Sequence, residues 1–112
     1  LRFPELFRCL LDIGVQIVVL PAAFTAATGH AHWESLLRAR AIENLIYVIA
    51  SAQGGYHING RATYGNSMVV DPWGAILNRI KHGTGMAIAD VNIDYLESRR
   101  KTFPCIEHRQ LK

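Results

Sequence analysis

Apolar residues recur at helical spacing near the start of the chain, at Leu6, Phe7, Leu10 and Leu11. Arg8 and Asp12 fall outside this apolar set, and Gly14 is a suitable residue to stop a helix. The pattern predicts a first amphipathic helix that begins after Pro4.

Two later segments are almost continuously apolar, which is typical of strands covered on both faces in a layered α/β sheet. They are VQIVVL, at residues 15–20, and IYVIASAQ, at residues 46–53. We expect Pro21 to end the first strand. Between the two strands the sequence predicts a loop of small and polar residues over 22–31 and a helix over 32–45. Such a crossover joins parallel strands and is right-handed.

The second half of the chain begins with a glycine-rich stretch, residues 54–65, which we expect to be a long loop. NSMVV and AILNRI then flank DPWG, whose proline and glycine suit a type I turn, so the segment 66–80 predicts a hairpin. GMAIADVN, residues 85–92, predicts one more strand, and IDYLESRRK, residues 93–101, a last helix. Together these elements predict an α/β fold with a mixed sheet.

Such a sheet has too few helices to cover it. Both early strands are expected to be buried on two faces, yet the two long helices cannot cover every face and edge. The sequence therefore predicts that something further covers the sheet, either an N-terminal half of the same fold or a second subunit.

Composition places residues 1–112 in a single domain. Half of the residues are apolar and only 19% are charged, which is typical of a chain that packs a core. The longest apolar run, VQIVVLPAAF, is far shorter than the ~20 residues of a membrane span. Charged residues interrupt positions 1–15, so no signal-peptide core is expected there. We therefore expect a cytoplasmic protein with no membrane partner.

Charge and cysteine usage exclude several further classes. The net charge of +3 is concentrated in the C-terminal SRRKTFPCIEHRQLK, which we expect to be a solvated tail, with no nucleic acid as partner. Cys9 and Cys105 are far apart and outside any CxxC motif, so a disulfide framework is not expected. His30 and His32 lack an acidic partner at ligand spacing, and we expect neither a metal nor a cofactor.

Three blocks resemble the carbon-nitrogen hydrolase (nitrilase) superfamily, in particular its branch of deaminated glutathione amidases and omega-amidases. They are LRFPELFR, PAAFTAATGHAHWESLLRARAIENLIYVIASAQ and GRATYGNSMVVDPWG. The resemblance covers essentially the whole chain. It implies the C-terminal portion of a nitrilase-type α-β-β-α sandwich that forms homo-oligomers and releases ammonia from a small-molecule amide. One departure is Asn66, where the similar sequences often have histidine, and it leaves the substrate within the branch open.

The resemblance also implies a Glu-Lys-Cys triad of general base, oxyanion stabiliser and nucleophile. In the family the nucleophilic cysteine stands four residues before the position of Arg2, so all three groups are expected before Leu1. Neither Cys9 nor Cys105 matches the nucleophile. We expect Cys9 to be a small buried side chain, Cys105 an ordinary surface or interface thiol, and the isolated chain to be inactive.

Several residues are candidates for a substrate pocket. Arg2 could bind a substrate carboxylate with its planar guanidinium, or could simply pair with Glu5. The segment after the first strand could line an acyl pocket or serve packing alone, through Ala22, Ala23, Phe24 and Thr25. His57 could border the pocket or lie exposed in its loop.

The long helix carries charged residues with competing interpretations. Glu34 near its start is either a first-turn stabiliser or a substrate contact. Arg40 and Glu43 stand one helical step apart, and we treat them, with Arg38, as structural ion pairs. A different class of function also fits the sequence: a noncatalytic remnant, or an interaction module that supplies this fold for assembly.

Overall fold

A computed structural model describes residues 1–112 as helices packed on one face of a mixed sheet. The elements are, in chain order, α1 (Pro4–Asp12), β1 (Ile17–Ala22), α2 (Ala26–Thr28), a π-helical turn (Gly29–Trp33), α3 (Glu34–Asn44), β2 (Tyr47–Ala52), β3 (Gly54–Tyr56), β4 (Ala62–Tyr64), β5 (Ser67–Val70), β6 (Ile76–Ile80), α4 (Ile93–Thr102) and a 3-10 turn (Cys105–His108).

The main sheet has the strand order β1-β2-β5-β6. β1 and β2 are parallel and are joined through α3, as the sequence predicts. β5 and β6 form the predicted hairpin around DPWG. Asp71 fixes its turn, because one carboxylate oxygen accepts hydrogen bonds from the amides of Trp73, at 2.8 Å, and Ala75, at 2.9 Å. The fold class inferred from the pattern, α/β with a mixed sheet, is confirmed.

The loop predicted after the first strand is largely helical. Helical backbone begins at Ala26 and runs through the π-helical turn into α3, so the crossover helix starts six residues earlier than the sequence pattern indicated. The cause is local, since Ala26 and Ala27 are strong helix formers and nothing caps a helix at His32.

The first strand departs from its prediction in extent and in burial. Pro21 lies within β1 instead of ending it, because β1 is an edge strand and an edge tolerates a missing backbone donor. β1 is covered on one face only: Val18 is buried, whereas Val19 is 69% exposed. Met86 and Ile88, which also line the bare face of the sheet, are 80% and 68% exposed. A broad apolar face therefore remains uncovered.

Two further predictions in the second half are wrong. The glycine-rich stretch over 54–65 contains the short antiparallel pair β3 and β4, closed by a turn in which the Asn59 side chain accepts from the Arg61 amide at 3.0 Å. Residues 85–92 form no strand, because no backbone ladder reaches them. Side chains hold this segment instead: the Asn78 amide donates to the Ile88 carbonyl at 2.8 Å, and the Tyr47 hydroxyl accepts from the Asn92 amide at 3.1 Å.

The core lies between the helices and the covered face of the sheet. Its members are ten buried residues from α1, the crossover helix and the sheet: Phe7, Val18, Trp33, Leu37, Ala41, Ile46, Val48, Ala50, Met68 and Val70. Arg100 of α4 closes one end, because its guanidinium donates to the carbonyls of Leu45 at 3.2 Å and Val15 at 3.1 Å. Burial lowers the pKa of Arg100, against the opposing charge of Glu97. No helix of the chain has the length and apolar character needed to cross a bilayer.

Candidate functional site

The carboxyl ends of β1 and β2 lie side by side, with Ala22 opposite Ala52. They open a groove of about 480 Å³ lined by Pro21, Ala22, Ala23, Ser51, Ala52, Gln53 and Gly54. Small side chains leave this space open. Ligands of α/β sheets bind at the carboxyl ends of parallel strands, so we call this the strand-end groove and treat it as the candidate site.

Phe24 and Thr25 follow the groove-lining residues and are held by the helix and by the small hairpin. The Phe24 ring meets Trp33 edge to face, with centroids 4.9 Å apart, and the Phe24 carbonyl accepts from the Tyr64 amide at 2.9 Å. Thr25 forms a β-bridge to Thr63. Of the four pocket candidates that follow the first strand, Ala22 and Ala23 line the groove, whereas Phe24 and Thr25 fix the chain beside it.

Arg2 lies over Phe24. Its guanidinium carbon is 4.4 Å from the ring centroid, and the exposed side chain forms neither a hydrogen bond nor an ion pair. Pairing of Arg2 with Glu5 does not occur, because α1 places Glu5 in an exposed position without a cationic partner. The N–H groups of Arg2 therefore remain available to an anion.

The charged residues of α3 are divided among three different contacts. Arg40 pairs with Glu43 at 2.9 Å. Arg38 forms no ion pair and instead donates from Nε to the Gly74 carbonyl at 2.9 Å. Glu34 pairs with Arg79 of β6 at 2.7 Å. Glu34 is the first residue of α3, as the sequence suggests, but helical backbone precedes it, so its neighbouring amides are not at a free helix end.

His57 is exposed between β3 and β4, and its Nε2 lies 2.7 Å from the Thr63 hydroxyl. His57 does not line the strand-end groove. The structure therefore places His57 in the small hairpin and apart from the other pocket candidates.

A second groove, missed by the sequence reasoning, lies on the other side of the end of β2. It has a volume of about 360 Å³ and its lining is mainly polar: Ser51, Ala52, Gly54, Gly65, Asn66, Ser67, Ile80, His82, Gly83, Thr84 and Gly85. Asn66 adopts a left-handed backbone with φ of +63°, which asparagine tolerates. Its carbonyl accepts from the Trp33 indole at 2.8 Å, so this groove is tied to the core.

Cys9 is exposed, contrary to the expectation of a buried thiol, because α1 turns Phe7 and Leu11 inward instead. It lines a third groove, of about 620 Å³, together with Glu5 and Lys112. A thiol, a carboxylate and an amine thus border one space. No hydrogen bond or ion pair joins any two of them, so the nucleophile-to-base contact that activates a cysteine is not formed. Cys105 is partly exposed.

An ion pair between the C-terminal tail and α1 forms part of the wall of the same groove. Arg109 donates to both carboxylate oxygens of Asp12, at 2.8 and 3.2 Å. This hydrogen bonding holds the pKa of Asp12 below its ordinary value, and Asp12 in turn raises the pKa of Arg109.

The tail is therefore expected to detach from α1 in acid. A carboxyl whose pKa is lowered in the folded state stabilises that state at pH values above its unfolded pKa, and the stabilisation is lost as the pH falls through the lower folded value. NMR amide signals of Gln110 and Leu111 should shift on acid titration. In an Asp12→Asn variant the tail should be detached at every pH, so both signals should already lie where those of the wild-type protein lie in acid. Equal titration of both proteins would contradict this coupling.

No group of three or more His, Cys, Asp or Glu side chains is close enough to hold a metal ion. The geometry that remains is a groove of small side chains with an unpaired guanidinium stacked on the aromatic ring beside it. Such an arrangement can bind a small ligand that carries a carboxylate.

Comparison with known proteins identifies the family. The family model for carbon-nitrogen hydrolases matches residues 1–101. The chain is 50% identical to the deaminated glutathione amidase of Bos taurus over 110 residues, covering 98% of this chain and 34% of that protein. It is 51% identical to the deaminated glutathione amidase of Synechocystis sp. over 108 residues, covering 96% of this chain and 40% of that protein.

A solved structure gives the same result for the fold. The crystal structure of the Caenorhabditis elegans NitFhit protein superposes with a TM-score of 0.94 at 48% identity, covering 97% of this chain and 26% of that one. The chain thus spans about a third of the length of the curated amidases it matches. On the family match, the sequence identity and the fold together, this chain belongs to the carbon-nitrogen hydrolase (nitrilase) family.

Proposed function

We propose that this chain is the C-terminal portion of an amidase that releases ammonia from a small amide bearing a carboxylate, such as deaminated glutathione. The family hydrolyses carbon-nitrogen bonds, and the similar bovine and Synechocystis proteins are deaminated glutathione amidases. Their activity supports the reaction type and the substrate class proposed for this chain.

The observation that carries the proposal is the position of Arg2. The Arg2 guanidinium lies over Phe24 and forms no hydrogen bond, so its N–H groups are free to bind a carboxylate through two parallel hydrogen bonds. Phe24 directly follows Ala22 and Ala23, which line the strand-end groove. A substrate with its carboxylate on Arg2 would have its acyl chain next to this groove.

In the proposed reaction the nucleophile and its partners lie outside these 112 residues. A cysteine thiolate attacks the amide carbon, a lysine stabilises the oxyanion, and a glutamate transfers a proton to the leaving nitrogen, so ammonia departs and a thioester forms. Water then hydrolyses the thioester and frees the acid. The exposure of Cys9 and its lack of a hydrogen-bonded base support this assignment.

The uncovered face of the sheet is the proposed site of assembly. Val19, Met86 and Ile88 expose apolar area there that a stable fold would bury. We propose that the other half of the sandwich, or a second copy of the chain, covers it. The same face would serve the alternative function, a noncatalytic interaction module.

Ammonia release tests the proposal. We expect the complete protein that carries this sequence to release ammonia from deaminated glutathione, and the 112-residue chain alone to release none above buffer. Turnover by the short chain that Cys9→Ala abolishes would instead place the active site in the groove with Glu5 and Lys112. A folded complete protein without turnover would favour the interaction module.

A further inference from the structure

Arg40 is a buried arginine that joins α3 to the start of the chain. Its side chain is 7% exposed. Nε donates to the Leu1 carbonyl at 2.9 Å, Nη1 donates to Glu43 at 2.9 Å, and the guanidinium carbon lies 5.6 Å from the centroid of the Phe7 ring. The bond to Leu1 spans 39 positions in the sequence, whereas the bond to Glu43 stays within one helical turn.

Burying the Arg40 charge costs free energy, and the ion pair with Glu43 is a weak offset. Removing a guanidinium from water is expensive, and a buried ion pair is often no more stabilising than apolar side chains of the same size. Glu43 is also 30% exposed, so the pair lies at the edge of the core. Of the Arg40 side-chain nitrogens, only Nε donates to a residue outside α3.

The group that Arg40 holds is part of the peptide that leads directly to Arg2. A peptide unit is planar, so a fixed Leu1 carbonyl also fixes the Arg2 amide nitrogen and Cα, the atom from which the side chain leaves. At its other end the Arg2 guanidinium lies on Phe24, whose ring packs against Trp33. The crossover helix thus supports Arg2 at both ends, through Arg40 and through Trp33.

We infer that Arg40 is a positioning residue for Arg2: by holding the Leu1–Arg2 peptide it sets where the Arg2 guanidinium meets a substrate carboxylate. This inference rests on the proposed function, since it assigns Arg40 to the recognition of that carboxylate. Arg40 touches no substrate in this arrangement and takes no part in bond breaking.

Two substitutions of equal charge isolate the bond. In Arg40→Gln the side-chain Nε2 stands at the same number of bonds from Cα as the arginine Nε and can still donate to Leu1. In Arg40→Met a methyl group takes that place. Both variants lose the pair with Glu43, so the difference between them reports the donor alone. Arg38→Met, on the same helix but bonded to Gly74, is the control.

The measurement compares two amides in the complete protein: glutaramate, which has a carboxylate, and hexanamide, which is neutral and of similar length. Arg40→Met should raise KM for glutaramate about tenfold with kcat within about twofold, and should leave hexanamide kinetics unchanged. Arg40→Gln should change KM for glutaramate by less than about threefold. Arg38→Met should keep the ratio of kcat/KM for the two amides.

The outcomes separate this inference from the proposed function. If Arg2→Met fails to lower the preference for glutaramate, carboxylate binding by Arg2, and with it the proposed site, is wrong. If Arg2→Met lowers it but the Arg40 variants behave alike, only the positioning role is overturned. Equal losses on both amides would also overturn it, as a merely structural effect. If Arg40→Met does not fold, retained preference in Arg40→Gln supports the inference and its loss contradicts it.

Discussion

Replacement of Trp33 with alanine is expected to lower the free energy of unfolding by about 4 kcal/mol, the loss typical of a large aromatic side chain removed from a core. Trp33 is completely buried. Its ring packs on Phe24, and its indole N–H donates to the Asn66 carbonyl at 2.8 Å. The substitution would open a cavity and leave a buried carbonyl without a donor. Urea unfolding followed by circular dichroism measures the change.

Two matched variants locate the cause of that loss. Trp33→Phe keeps a ring but removes the donor, so we expect a loss of about 2 kcal/mol. Trp73→Ala removes the other tryptophan, which is half exposed and stacks under Arg99 at 4.3 Å, and should cost about 1 kcal/mol or less. A loss for Trp33→Ala no larger than that for Trp73→Ala would contradict the core described for this chain.

Gly29→Ala is expected to destabilise the chain by about 3 kcal/mol, although alanine is the better helix former. A Cβ at Gly29 would overlap Cβ of Tyr64 in β4. The helix and the small hairpin approach each other too closely there for any side chain. Relief of the overlap requires the hairpin to move and the β-bridge between Thr25 and Thr63 to break.

Gly85→Ala is the control for this prediction. There the added Cβ would meet only Ile80 at ordinary contact distance, 3.5 Å, so stability should change by less than about 0.5 kcal/mol. Thermal unfolding of both variants measures the difference. If Gly29→Ala melts with the wild-type chain, the hairpin does not pack on the crossover helix as the structure has it.

The parts of the fold that were predictable are those set by local chemistry. The apolar spacing in α1, the β-branched runs of β1 and β2, and the Pro-Gly turn after Asp71 each determine their element within a few residues. Pro21 was misjudged because its tolerance depends on β1 lying at an edge, which no local pattern reveals. Residues 85–92 have a strand composition, yet they form no ladder with any strand, although β6 lies at an edge of the sheet.

The candidate site was also predictable only where local sequence determines it. Ala22 and Ala23 follow a buried strand, and the rule for parallel sheets correctly indicates a groove there. The partner of Glu34 was not predictable, because Arg79 lies 45 residues away on strand β6. The polar groove was missed since it forms where Asn66 and His82, from separate loops, meet at the end of β2.

The central place of β2 in the sheet has a consequence for how the chain folds. β2 pairs with β1 across the whole crossover helix and with β5 beyond the small hairpin, so neither neighbour is local in sequence. Closing such loops costs conformational entropy before the hydrogen bonds between the strands form and stabilise the sheet. We therefore expect assembly of β2 to be the slow, committing event of folding, and its amides to be among the last to exchange with deuterium in the native protein.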